Sequence, residues 1–240
     1  MQHEDVLVEP RRFRLLVFDL EHAIFDSVSL KLGALRRSLL TLSGEVPHSM
    51  RLPDELDVEE SYRAGGIHWF DHLDLGRLEE ESEGLREELS CEMCRLASSG
   101  AGELYRGVPE VLEACRRVGL HLALGAECRR DFLLAVSDRR RLDAWFDLVA
   151  CAEDYGSGGI AELLLDVTER LDTHPSECVY LGSRILSVDA AMEGGIAAVG
   201  CSWGVRDPAV YSGVEMLAER PAEVLRAVRL IDDRRPADTA

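Results

Sequence analysis

Lysine is almost absent from this 240-residue chain: Lys31 is the single one, and all other fixed positive charge is arginine. Against 27 basic residues stand 45 acidic ones, a net charge of -18. Nucleic-acid phosphates call for clustered cations, so no nucleic-acid partner is expected. No run approaches the roughly 18 consecutive apolar residues that a membrane helix needs, so no membrane partner is expected either. The opening stretch MQHEDVLVEPRRF has no apolar segment of the kind a secretory signal carries, and a cytoplasmic location is expected. Seven cysteines, odd in number and scattered, do not read as a disulfide framework and suit reduced thiols. What is present in quantity is apolar residue, 46% of the chain, ample for a packed core.

The pattern of that apolar residue is informative. FRLLVFD (13–19) is a short apolar run ending at a polar loop, which predicts a buried strand. Val28, Leu32, Leu35, Leu39 and Leu42 alternate spacings of four and three, which predicts a helix over 28–42. GEVPHSMRLPDE (44–55) reads as a loop. The helical pattern returns over 56–98, with Leu78, Leu85, Leu89, Met93 and Leu96 on one stripe. From 107 the chain alternates. Helices are predicted over 107–120, 129–146, 161–171, 187–195 and 221–230, and strands over 121–126, 147–151, 178–182 and 196–201. Alternation of this kind implies a parallel sheet covered on both faces, an α/β Rossmann-like fold. Residues 11–27 and 103–232 would form that core, with 28–102 inserted as an α-helical cap and 1–10 and 233–240 as loose termini.

RLLVFDLEHAIFDS (14–27), YRGVPEVLEACRRVGLHLAL, WFDLV, CVYLG and AAVGCSWG occur in one order and spacing. Together they resemble the haloacid dehalogenase-like hydrolase superfamily, in its phosphoglycolate phosphatase-like branch with a helical cap. The resemblance implies Asp19 as the nucleophile and the residue two further on, Glu21, as the acid. His22 and Ala23 stand where the family has Gly and Thr. The family's hydroxyl position falls on Ala126, and its lysine position near Gly159. Its magnesium-binding acids fall on Ser183 and Ser187, so Asp19, Glu21 and Ser183 would make at most a weak metal site. Asp189, one turn further, should point away. Asp19, Glu21 and Glu127 would crowd the strand ends with only Arg184 and Arg129 as nearby cations, and neighbouring carboxylates raise one another's pKa.

Two functional readings follow. In the first, the protein is a catalytically impaired pseudo-phosphatase acting by binding a protein or small ligand, with no cofactor. In the alternative, it is a divergent, magnesium-dependent phosphate-ester hydrolase using Asp19. His68 and His72, four apart, and Cys91 and Cys94, three apart, have residue types that zinc accepts. Helix-borne pairs without a loop knuckle are expected instead to be packing cysteines and half-exposed histidines. Trp69 and Phe70 are expected in the cap core. Residues 54–92 hold fourteen acids and three arginines, a net of -11. Such a face suits either solubility alone or a basic protein partner.

Overall fold

The computed structural model describes residues 12–43, 52–73, 82–205, 211, 214 and 216–234. The predicted loose ends at 1–10 and 235–240, most of the predicted loop (44–51) and Leu78 lie outside the described residues. In chain order the elements are β1 (Leu15–Phe18), β2 (Phe25–Asp26), α1 (Val28–Ser43), α2 (Glu55–Gly65), a 3-10 segment (Gly66–His72) and α3 (Ser82–Ser99). Then come β3 (Glu103–Leu104), α4 (Val108–Arg117), β4 (His121–Ala126), α5 (Arg130–Arg140), β5 (Leu148–Cys151) and α6 (Gly159–Arg170). The chain closes with β6 (Cys178–Gly182), α7 (Ile185–Glu193), β7 (Ala197–Cys201), β8 (Leu217–Ala218) and α8 (Val224–Arg234).

Six strands form one sheet in the order β5-β4-β1-β6-β7-β8, with every pairing parallel. β1 lies inside the sheet, and all four of its residues are buried, which is why it is apolar throughout rather than alternating. Successive side chains face opposite ways. Leu15 and Val17 pack with Ile160, Leu163, Leu164 and Val188 of α6 and α7. Leu16 and Phe18 pack into a larger cluster with residues of α4, α5 and α8 and of the inserted helices. The fold is therefore the α/β, Rossmann-like one that the alternation predicts.

The insertion leaves and rejoins the core through one short ladder. β2 and β3 pair antiparallel, Phe25 with Leu104 and Asp26 with Glu103. Two-residue strands carry little periodicity, and the sequence pattern misses both. α3 packs along α1 and also against α5, so the insertion rests on the core. Among the described residues no helix is long and apolar enough to cross a membrane.

Four predicted details change. The helical stretch predicted over 56–98 breaks after Gly65, where α2 gives way to the 3-10 segment Gly66–His72. The helix predicted over 129–146 stops at Arg140, with Arg141 in the left-handed region (φ 55°). The last helix continues to Arg234, so residues 233 and 234, expected in a loose tail, are helical. In α1 the buried face includes Lys31, Leu35, Ser38 and Leu39, whereas Leu42 is half exposed. The stripe tilts by one position, and that tilt turns the lysine inward.

Gly102 (φ 73°) shows how tightly the ladder is packed: a Cβ there would lie 2.2 Å from the Phe25 ring. Gly156 has a similar left-handed φ (57°) with open space around it. Gly102→Ala is expected to lower stability by about 3 kcal/mol, combining overpacking and backbone strain. Gly156→Ala should cost about 1 kcal/mol, from the backbone alone. Urea unfolding of the two variants measures the difference, and equal losses would show that the ladder is loosely packed.

Candidate active site

The site forms where β1 ends. The Asp19 N–H donates to the Leu181 carbonyl (2.9 Å), fixing the strand end against β6. The chain then turns sharply, with the N–H groups of Ile24 and Phe25 both donating to the Leu20 carbonyl. His22 takes the left-handed conformation, φ 60°. That is uncommon for a residue with a side chain. Neighbours hold it there. Its Nδ1 lies 3.0 Å from the Gly204 carbonyl, and its ring lies against Tyr62. A carbonyl only accepts, so Nδ1 carries the proton. Gly204 must be glycine, because a Cβ there would fall 2.1 Å from the His22 carbonyl oxygen. The Trp203 indole N–H donates to Ala23 (3.0 Å) and backs the same turn.

Three acidic side chains, Asp19, Glu21 and Glu127, are buried here. Glu21 accepts from Ser27 and forms an ion pair with Lys31 at 2.7 Å. Lys31 has no exposed surface, and its ammonium lies 4.2 Å from the centre of the Tyr62 ring and 4.9 Å from that of Trp69. Both separations are within cation–π range, worth about 2 kcal/mol when desolvated. Glu127 is ion-paired with Arg184 at 2.8 Å and accepts from Ser187. Arg184 also donates to the Arg63 carbonyl in the insertion (3.3 Å).

Asp19 has no such partner. Burial pushes its pKa well above the usual carboxylate range, with Glu127 and Glu21 adding repulsion and Arg184 opposing. The Tyr62 hydroxyl donates to one oxygen (3.4 Å), and the other has no hydrogen-bond partner among the described residues. His22 shifts the other way, down to about 4, through burial and the nearby Lys31 charge.

Of the expected residues, Asp19, Glu21, Glu127, Ser183, Arg184 and Ser187 come together. Ala126 is the buried last residue of β4 and offers no hydroxyl. Gly159 begins α6 and opens to free space (φ 53°). Arg129 is exposed at the start of α5, and Asp189 is exposed, as expected. The expectation of a site with no lysine is corrected: the sole lysine is in it, delivered from α1 rather than from the start of α6. Tyr62 was also missed. Lys31 lies four residues before Leu35 and seven before Ser38, on the buried face of α1. A lone lysine at that spacing was the available signal. Trp69 and Phe70 are buried as expected, but Trp69 also faces the lysine. Cys91 is exposed and Cys94 half-buried, and among the described residues no three His, Cys, Asp or Glu side chains are placed to hold a metal.

The fold and this strand-end cluster define a class. The family model for haloacid dehalogenase-like hydrolases matches residues 13–195. The chain belongs to that family. A phosphoglycolate phosphatase of Synechococcus elongatus is 28% identical over 128 residues, 52% of this chain and 59% of that protein. The chain thus spans little more than half of that relative's length. Three solved structures share the fold. CbbY from Rhodobacter sphaeroides, in complex with phosphate, has a TM-score of 0.68 at 16% identity, covering 88% of this chain and 96% of its own. A protein from Lactobacillus plantarum assigned as a phosphoglycolate phosphatase gives 0.73 at 16%, covering 90% and 99%. A subfamily IA hydrolase from Geobacter sulfurreducens gives 0.64 at 20%, covering 89% and 98%.

The family implies magnesium, and the residues at this strand end do not fit it. The Glu21 carbonyl, a candidate ligand, already accepts from Ser183 Oγ at 3.0 Å. Ser187 donates to Glu127, and the Glu21 and Glu127 carboxylates are already paired with Lys31 and Arg184. With serine hydroxyls at 183 and 187, Asp19 is the one carboxylate of the cluster not held by a cation, fewer hard anionic oxygens than Mg²⁺ prefers.

Lys31→Met should cost about 3–5 kcal/mol, because it leaves Glu21 buried without its partner. Adding Glu21→Gln should recover most of the loss in guanidinium unfolding, and failure to recover would assign the loss to packing. The stability that comes from keeping His22 neutral is complete above its unfolded pKa of 6.5 and declines as pH falls toward about 4. That decline amounts to about 3 kcal/mol. His22→Asn, which tolerates the left-handed backbone, should flatten unfolding free energy against pH across that window.

Proposed function

We propose that this protein keeps the family scaffold for binding and is impaired in magnesium-dependent hydrolysis. The observation that carries this reading is the internal pairing of the cluster: Lys31 is taken by Glu21 and Arg184 by Glu127, which leaves Asp19 without a cation of its own. Attack on a phosphate ester by Asp19 beside Glu21 and Glu127 would need something to offset the repulsion of the dianion. Ala126 and Gly159 supply neither hydroxyl nor cation for the phosphoryl oxygens. Each such donor typically contributes about 10²–10³-fold.

The alternative, a divergent phosphate-ester hydrolase with Asp19 as nucleophile, is favoured by two observations. The lysine is inside the site, and the similar proteins include phosphatases. On that reading Lys31 and Arg184 would meet the phosphate after trading their carboxylate partners for it. For the binding role, a basic protein surface complements the net of -11 over residues 54–92. A cytoplasmic setting belongs to the same reading.

Turnover of p-nitrophenyl phosphate and phosphoglycolate, with and without magnesium, decides between the two. The expected rate lies within about tenfold of a matched Asp19→Asn control, since the electrostatic donors act as a unit. A combined Glu21→Asp, Ala126→Thr, Gly159→Lys and Ser183→Asp variant should raise it. Magnesium-dependent hydrolysis by the unaltered protein, abolished in Asp19→Asn, would establish the hydrolase reading.

A further inference from the structure

A cavity of about 130 Å³ lies between the insertion and the core, beside the strand-end cluster. Exposed Arg86, Arg129 and Glu153 on its rim leave it open to solvent on one side. Its wall is largely apolar and aromatic: Trp69, Phe70, Leu89, Met93 and Phe132. Trp69 and Phe70 meet edge to face, with ring centres 6.2 Å apart at 88°. An apolar cavity of about 150 Å³ accommodates a benzene ring, so this one matches a single-ring body.

The charges around the cavity narrow the choice. Glu21 reaches it but is held by Lys31 and Ser27. Arg86 is ion-paired with Asp71 and lies 5.5 Å from the centre of the Phe70 ring. Glu153 accepts from the Arg130 N–H at 2.8 Å. Arg129, exposed at the start of α5, makes no ion pair among the described residues. The uncommitted fixed charge on the lining is therefore one guanidinium, with the exposed His68 imidazole on the same lining. It suits one carboxylate, which it can bind through two parallel hydrogen bonds. A phosphate dianion would need a second free cation and would face Glu21 and Glu153.

We propose that this cavity binds a compact aromatic monocarboxylate, its ring against Trp69, Phe70 and Phe132 and its carboxylate on Arg129. The assignment rests on the reading of the protein as a binder. The cavity lining includes Glu21 and not Asp19, so the ligand lies beside the nucleophile position rather than on it.

Benzoate is the probe, titrated by calorimetry into the full chain, with benzamide as the neutral isostere. Benzoate is expected to bind saturably below about 1 mM, and benzamide about tenfold more weakly. Arg129→Gln, at an exposed position, should weaken benzoate about tenfold and leave benzamide unchanged. Met93→Trp, which fills the cavity, should abolish both, with folding checked by circular dichroism. If Met93→Trp does not fold, Ser90→Leu on the same lining serves instead. No saturable benzoate binding up to about 10 mM overturns the proposal, as does equal affinity for benzoate and benzamide. Failure of the binder reading is seen separately, as phosphate-ester turnover that Asp19→Asn abolishes. Turnover together with benzoate binding would leave the cavity assignment standing and reject the impaired reading alone.

Discussion

Carboxylates at the end of β1 have to be neutralised out of reach of water, and much else in the molecule follows from how that is done. An unpaired buried charge costs several kcal/mol, more than a marginally stable domain can absorb. Glu21 and Glu127 each take a cation from another element, Lys31 from α1 and Arg184 from the residue before α7. Asp19 takes none, and burial with Glu127 and Glu21 beside it pushes its pKa up. Removing either cation would leave a second buried acid without a partner.

The same pairing holds the insertion on the core. Lys31 reaches down from α1, and Arg184 reaches up to the Arg63 carbonyl at the end of α2. Gly66 makes room for Arg184, because a Cβ there would lie 2.5 Å from Nη1. Tyr62 sits at the centre. Its ring lies near Lys31, His22 and Arg184, and its hydroxyl donates to Asp19. Opening the cleft would strip Asp19 of that donor and Lys31 of an aromatic face, so closure and charge balance are one event. Ser183 completes it from the core side by donating to the Glu21 carbonyl.

The fold is shared with solved structures of this family, while the charge balance at the strand end rests on this chain's own side chains. A site that supplies its own cations has less to gain from an added metal. It also favours ligands that do not compete with those cations, which is why the apolar cavity beside Glu21, rather than Asp19, stands out as a place to bind.

The amino-acid sequence by itself determined the alternation of strands and helices and the place of Asp19 at the end of a buried strand. These follow from local periodicity and chain order, which a linear reading captures. HLALGA and CVYLG become β4 and β6 residue for residue. What only the tertiary structure decided is which cation meets which acid. Lys31 and Glu21 are ten residues apart, but Arg184 and Glu127 are separated by 57 and Tyr62 and Asp19 by 43. No pattern of local spacing encodes such pairs. The rotation of α1 that buries Lys31 instead of Leu42 is set by packing against α2 and α3, and a helical stripe alone leaves it undetermined by one position. The two-residue ladder of β2 and β3 is too short for periodicity to reveal and exists because the ends of the insertion meet in space.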